Sequence, residues 1–178
     1  MAKTETIITF WLIPVESARR YFHSLIRDLA RRFDAPVFES HLTLYVTTAA
    51  KEEGPAATLQ SAVANSKICR LSIAGIDFSE EFTKTLFVQF RPDEALTALN
   101  EKLRAVSASQ DEYQLNPHLS LIYKKLSPET KVEIANSLRL PFDDVEFDTV
   151  RAVISPAKIE SRADVDAWRV IAEEKLTG

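Results

Sequence analysis

"ESHLTLY" (39–45) and "NPHLSLIY" (116–123) are nearly one phrase written twice. In both, a histidine is followed by leucine, a hydroxyl residue and leucine: His41-Leu42-Thr43-Leu44 and His118-Leu119-Ser120-Leu121. The chain has 3 histidines, so two of the three sit in this pattern. Both phrases alternate in a way that suits strands, where every second side chain shares a face, about 6.5–7 Å apart. His41 with Thr43, and His118 with Ser120, then form two polar stripes backed by leucine anchors. His23 belongs to neither phrase and reads as a surface histidine on a helix.

The surrounding chain reads as two similar halves. "IITFWLIPV" (7–15) reads as a first strand, left at Pro14. Ser17 is expected to cap a helix whose buried stripe is Phe22, Leu25, Ile26, Leu29 and Phe33, with Arg20, Arg27 and Arg31 outside. After Pro36, "VFESHLTLYVT" reads as a strand. Gly54-Pro55 opens a helix to about Ala64, with Pro55 in the first turn. "CRLSIAGIDF" and "KTLFVQF" read as strands, followed by a helix from about Glu94 to Val106 behind an Asp93 cap. "HLSLIY" is again a strand, Ser127-Pro128 opens a helix to about Leu138, and "VEFDTVRAVIS" and "AWRVIAEEKL" close as strands. The order strand, helix, strand, helix, strand thus occurs twice. Pro14 precedes His41 by 27 residues, and Pro92 precedes His118 by 26. Duplication of a half-domain is the economical inference, and it aims both histidine strands at one shared cleft.

Composition bounds the function. With 178 residues, 46% apolar and 27% charged, the chain suits one folded domain. A net charge of −4 argues against a broad phosphate-gripping surface for long nucleic acid. Cys69 is the single cysteine, which excludes an intrachain disulfide and fits a reducing, cytoplasmic setting. In "KICRLSI" it reads as a buried strand thiol. The apolar run 7–15 is too short to span a bilayer, and its lead-in, with Lys3 and Glu5, is unlike a signal peptide.

An imidazole and a hydroxyl on one stripe are suited to phosphoryl oxygens. Two facing pairs suit the opening of a strained cyclic phosphodiester: one neutral imidazole takes a proton from water, and the other, protonated, gives one to the departing ribose oxygen. Free histidine titrates near pH 6.5, so both forms coexist near neutrality. A zinc site lacks an evident third ligand, since no H-E-x-x-H or paired-cysteine spacing occurs. With 3 glycines the chain has no glycine-rich phosphate loop.

At these residues the sequence resembles the two-histidine (2H) phosphoesterase superfamily, defined by two H-x-[ST]-x motifs on opposed strands. More narrowly it is similar to the small plant-type cyclic phosphodiesterases, through "FWLIP", "FESHLTLYV", "NPHLSLIYKKLSPETK" and "RAVISPAKIESRADVDAW". The resemblance implies an α+β fold in two lobes, an antiparallel sheet in each with helices outside and a cleft between, as one domain over 1–178 with motifs at about 37–47 and 116–123. It implies metal-independent hydrolysis of cyclic phosphates, such as ADP-ribose 1″,2″-cyclic phosphate and nucleoside 2′,3′-cyclic phosphates; the chain is expected to act as a monomer without cofactor or membrane partner. His41, Thr43, His118 and Ser120 occupy the motif positions; Trp11 and Tyr123 occupy those of substrate-binding aromatics. Strict alternation turns Tyr123 away from His118 unless the strand bulges or ends there. The lone cysteine departs from the plant enzymes, so no disulfide control carries over.

Two other functions are open at this point. An RNA-end 2′,3′-cyclic phosphodiesterase, akin to the 2′–5′ RNA ligases, needs basic residues along a groove; Lys124, Lys125 and the arginines at 19, 20, 27, 31 and 32 are what the chain offers. A non-catalytic nucleotide-binding module has no need of a paired acid and base.

Overall fold

The computed structural model describes residues 5–49, 54–109 and 112–178; Lys3 lies outside them. The order is β1 (Thr6–Pro14), α1 (Glu16–Phe33), β2 (Leu42–Thr48), α2 (Pro55–Val63), β3 (Cys69–Phe78), β4 (Leu86–Phe90), α3 (Glu94–Val106), β5 (His118–Ile122), α4 (Pro128–Ser137), β6 (Asp144–Pro156), α5 (Arg162–Asp166) and β7 (Arg169–Lys175). A 3-10 turn, Phe82–Lys84, precedes β4.

All pairings between these strands are antiparallel, in the order β1-β2-β5-β4-β3-β6-β7, with β1 also paired to β6. Six strands therefore close into a ring of pairings, and β7 is added on β6. Exchanging β1 with β4, β2 with β5 and β3 with β6 returns the same ring. The helices obey the same exchange: α1 packs on β5 and α3 on β2, while α2 packs on β6 and α4 on β3. The halves are not separate sheets. They are joined along four pairings: β2 with β5 at Leu42–Leu119, β3 with β4, β3 with the start of β6, and β1 with β6.

Local chemistry explains most boundaries. Asp93 and Ser127 cap α3 and α4 by accepting the Leu96 and Thr130 N–H groups, at 2.9 and 3.2 Å. Ser17 does not cap α1. The helix starts at Glu16 behind Val15, whose N–H donates to the Glu146 carbonyl of β6 at 2.9 Å, so Ser17 already lies inside the first turn, and no side chain caps the helix. Asp34 ends α1 in the left-handed region, φ 50°, two residues before Pro36. The α1 stripe lies as expected: Phe22, Ile26 and Leu29 are buried, and Leu25 and Phe33 pack partly buried against the core. Burying each such side chain contributes about 1.5–3 kcal/mol. His23 is exposed. The short α5 interrupts what the sequence pattern leaves as a connection; Ser161 caps it by accepting the Asp164 N–H.

Cys69 is buried on β3, and burial pushes its thiol up to about 11, which fits an inert core thiol. Among the described residues, no helix is long and apolar enough to cross a membrane.

Candidate active site

The Leu42–Leu119 pair, with both side chains fully buried, sets the geometry of the site. In an antiparallel pair its neighbours fall on the opposite face, Thr43 across from His118 and His41 across from Ser120. His41 and His118 are then diagonal neighbours, with backbones roughly 7–8 Å apart. That separation leaves room for one phosphate between two imidazoles.

A cavity of about 240 Å³ opens at this crossing and is lined by all six residues singled out above: His41, Thr43, His118, Ser120, Trp11 and Tyr123. Tyr123 gets there because of a bulge. Between β1 and β2 the register slips so that Trp11 faces Thr43, leaving Leu44 as the extra residue. Between β4 and β5 the same slip puts Phe87 opposite Ser120, leaving Leu121 extra. Each slip reverses the alternation beyond it. Val46 and Tyr123, 77 residues apart, thereby both turn into the cavity.

Each histidine is held by the same device. The Nδ1–H of His41 donates to the Glu39 carbonyl at 2.6 Å, and that of His118 to the Asn116 carbonyl at 2.8 Å. A carbonyl can only accept, so this fixes the tautomer and leaves each Nε2 to take or give a proton. A ring from the adjacent strand buttresses each imidazole: Trp11 lies parallel to His41 at 3.8 Å, and Phe87 meets His118 edge-on at 5.4 Å. Behind His41, Glu39 is gripped by the Nε and Nη2 of Arg19, at 2.9 and 2.6 Å, and by Arg151 at 3.1 Å. Burial works against the Glu39 charge, but the two guanidiniums outweigh it and hold the carboxyl below its ordinary range.

The two imidazoles are electrostatically unequal. His41 is 8% exposed, and burial pushes it down to about 4; the Glu39 carbonyl opposes this, and His118 adds to it. His118 is also lowered, by burial first, with Lys84 pushing the same way and the Asn116 carbonyl and Glu81 opposing. Both rings are therefore neutral at pH 7 in the free cavity. The hydroxyls differ too. Ser120 donates to the Thr83 carbonyl at 2.7 Å, whereas the Thr43 hydroxyl makes no hydrogen bond among the described residues.

Both aromatic positions lie in the lining of the cavity. Trp11 has one face against His41 and is 4% exposed; Tyr123 lies flat on Phe38 at 3.9 Å with its planes 7° apart. Neither offers an open ring face to a base, and burial raises the Tyr123 phenol. Both shape the wall. The aromatic that the sequence did not single out is Trp168, half-buried beside β7, with its edge contacts to Trp11 at 4.9 Å and His41 at 5.8 Å. Lys84, Glu81 and Tyr113 also line the cavity. The bulge before Phe87 matches that before Trp11, but it exists only in the pairing of strands distant in the chain, so no local sequence signal pointed to Lys84.

The basic residues considered for RNA lie elsewhere. Arg20 and Arg31 pair with Glu16 and Asp28 on the surface of α1, Arg32 with Glu133, and Lys124 turns to the Asp34 carbonyl at 3.0 Å. Among the described residues, no group of three or more His, Cys, Asp or Glu side chains is placed to hold a metal ion.

Solved structures share this fold. One described as a phosphoesterase is 14% identical with a TM-score of 0.63, over 97% of this chain and 99% of that one. TT0787 of Thermus thermophilus is 18% identical with a TM-score of 0.63, over 97% and 98%. Escherichia coli LigT complexed with 3′-AMP is 15% identical with a TM-score of 0.58, over 98% and 99%. No curated protein sequence matches the chain. The profile of the 2′-5′ RNA ligase superfamily matches residues 13–172, a span that holds both histidine phrases. The chain belongs to that superfamily, the 2H phosphoesterases, and so to a family of phosphoesterase and RNA-ligase-like enzymes.

Proposed function

We propose that the protein is a metal-independent cyclic phosphodiesterase, acting as a monomeric single domain of two pseudo-symmetric halves, without cofactor. Its substrates are small cyclic phosphates, either nucleoside 2′,3′-cyclic phosphates or ADP-ribose 1″,2″-cyclic phosphate. The observation that supports this most is the pairing of Leu42 with Leu119, which sets two tautomer-fixed imidazoles diagonally across one cavity.

In the reaction, the Nε2 of one neutral imidazole removes a proton from water as its oxygen bonds to phosphorus. The bond from phosphorus to one ribose oxygen breaks, and the other imidazole, protonated, gives its Nε2 proton to that oxygen. A phosphomonoester leaves and the two rings have exchanged protonation states. Thr43 and Ser120 hold the non-bridging oxygens, Ser120 by releasing the Thr83 carbonyl. The cavity volume suits a mononucleotide, and LigT has been crystallised with 3′-AMP.

Phosphorus spectroscopy of a panel of cyclic phosphates tests the reading. We expect conversion to a monoester, unchanged by excess chelator, and lowered at least about a hundredfold in His41→Ala and in His118→Ala. Full activity in either variant overturns it, and an unchanged substrate marks a binding module instead. The family's RNA-ligase name favours RNA ends as a second reading. Turnover that falls steeply with salt supports that one, and weak salt dependence supports the small substrate.

A further inference from the structure

The phosphoester reading leaves a charge question open. Two rings that are neutral in the free cavity, and two hydroxyls, offer no positive charge to an anionic phosphate. Most nearby cations are occupied. Arg19 and Arg151 are spent on Glu39, and Lys131, 1% exposed, is locked to Glu80 and to the Ser79 carbonyl at 3.0 Å.

Lys84 is different. It lines the cavity half-buried, and its Nζ lies 4.7 Å from the centre of the Phe87 ring, the same ring that touches His118. Among the described residues, no carboxylate lies within ion-pair reach of it. Its backbone, in contrast, is pinned. The Ser79 hydroxyl donates to the Lys84 carbonyl at 2.6 Å, and the Thr83 carbonyl beside it takes the Ser120 hydroxyl. The 3-10 turn is thus clamped to the motif strand, while the ammonium makes no hydrogen bond among the described residues. A partly desolvated cation without a counter-ion is costly, and an anion in the same cavity relieves it. The arrangement is one-sided, because the register that matches Phe87 with Trp11 matches Lys84 with Ile8, an apolar residue buried in the core.

We propose that Lys84 is the phosphate-binding cation of this site: its ammonium takes a non-bridging oxygen of the group flanked by the two histidines, and draws it toward His118. This rests on the reading of the cavity as a phosphoester site. A single cation of this kind fits a substrate with one phosphate in the cavity, and it stabilises the negative charge that gathers on the non-bridging oxygens as water adds.

Inorganic phosphate is the direct probe. Its affinity, and kcat/KM on a 2′,3′-cyclic nucleotide, are measured for the unaltered protein, Lys84→Gln and Lys84→Arg. The glutamine variant is expected to lose at least about tenfold in both, and the arginine variant to stay within about threefold. In the free glutamine variant the His118 ring should titrate higher, with Glu81 and His41 as the other titrating groups that face it. Values within twofold of the unaltered protein overturn the proposal. Should Lys84→Gln not fold, 13C-methylation of the unaltered protein serves: the Lys84 methyl signal moves on adding phosphate, and a static signal overturns the idea. Failures remain separable. Lys84-dependent phosphate binding without turnover of any cyclic phosphate keeps the subsite and removes the hydrolase reading; turnover without Lys84 dependence does the reverse.

Discussion

Trp11 and His41 lie face to face, 3.8 Å between ring centres and 14° from parallel. The indole removes water from one side of the imidazole and blocks its rotation, and the Glu39 carbonyl fixes the remaining degree of freedom. In the proposed reaction Trp11 thereby acts on the His41 ring rather than on a base. Trp11→Phe keeps a flat partner and should retain turnover within about fivefold. Trp11→Ala admits water, so His41 should titrate nearer its ordinary 6.5, and kcat should fall at least about tenfold as the ring loosens. A kcat against pH profile reads both effects. A rise in KM alone would instead restore Trp11 as a substrate platform.

The two hydroxyls have unequal structural duties. Ser120 satisfies the Thr83 carbonyl, and Thr43 satisfies no group among the described residues. Ser120→Ala should therefore cost stability as well as rate, on the order of 1–3 kcal/mol for an acceptor left unpaired. Thr43→Val keeps shape and packing, and should lower kcat with little change in melting temperature. Thermal unfolding and initial rates on the same two variants check the split; equal melting losses would remove the distinction.

Burial holds both imidazoles below their ordinary range in the free cavity. General acid catalysis nonetheless needs one of them protonated, and a phosphate anion between them favours that form. Binding inorganic phosphate at pH 7 should accordingly take up protons, up to one per site. Calorimetry in buffers of different ionisation enthalpy measures this as a slope of apparent enthalpy. A flat line would mean that the rings do not share the anion.

Much of this was legible in the sequence because the signals were local. Period-two leucines placed both motif strands, and the Asp93 and Ser127 side chains announced α3 and α4. What was hidden depends on partners distant in the chain. The bulges at Leu44 and Leu121 exist only relative to β1 and β4, so alternation alone sent Tyr123 to the wrong face. Trp168 enters from beside the last strand, and Lys84 from a turn that the neighbouring strand reading had absorbed. The Ser17 cap failed because the helix already starts at Glu16, behind a Val15 anchored to the Glu146 carbonyl across on β6, so Ser17 lies inside the first turn.

The depressed His41 also makes stability depend on acid. Its ring titrates at about 4 when folded, against an ordinary 6.5. Between those values the unfolded chain binds a proton that the folded protein does not, so stability falls as pH drops from about 6.5 toward 4, and the loss is complete below the folded value. A shift of that size corresponds to roughly 3 kcal/mol for a fully buried ring. His41→Asn has no titrating ring there, and should flatten this part of the stability curve while leaving the contribution of His118. Urea unfolding at a series of pH values between 4 and 7 measures the slope directly. A variant that keeps the full acid slope would place the titrating group elsewhere, and with it the dry environment ascribed to His41.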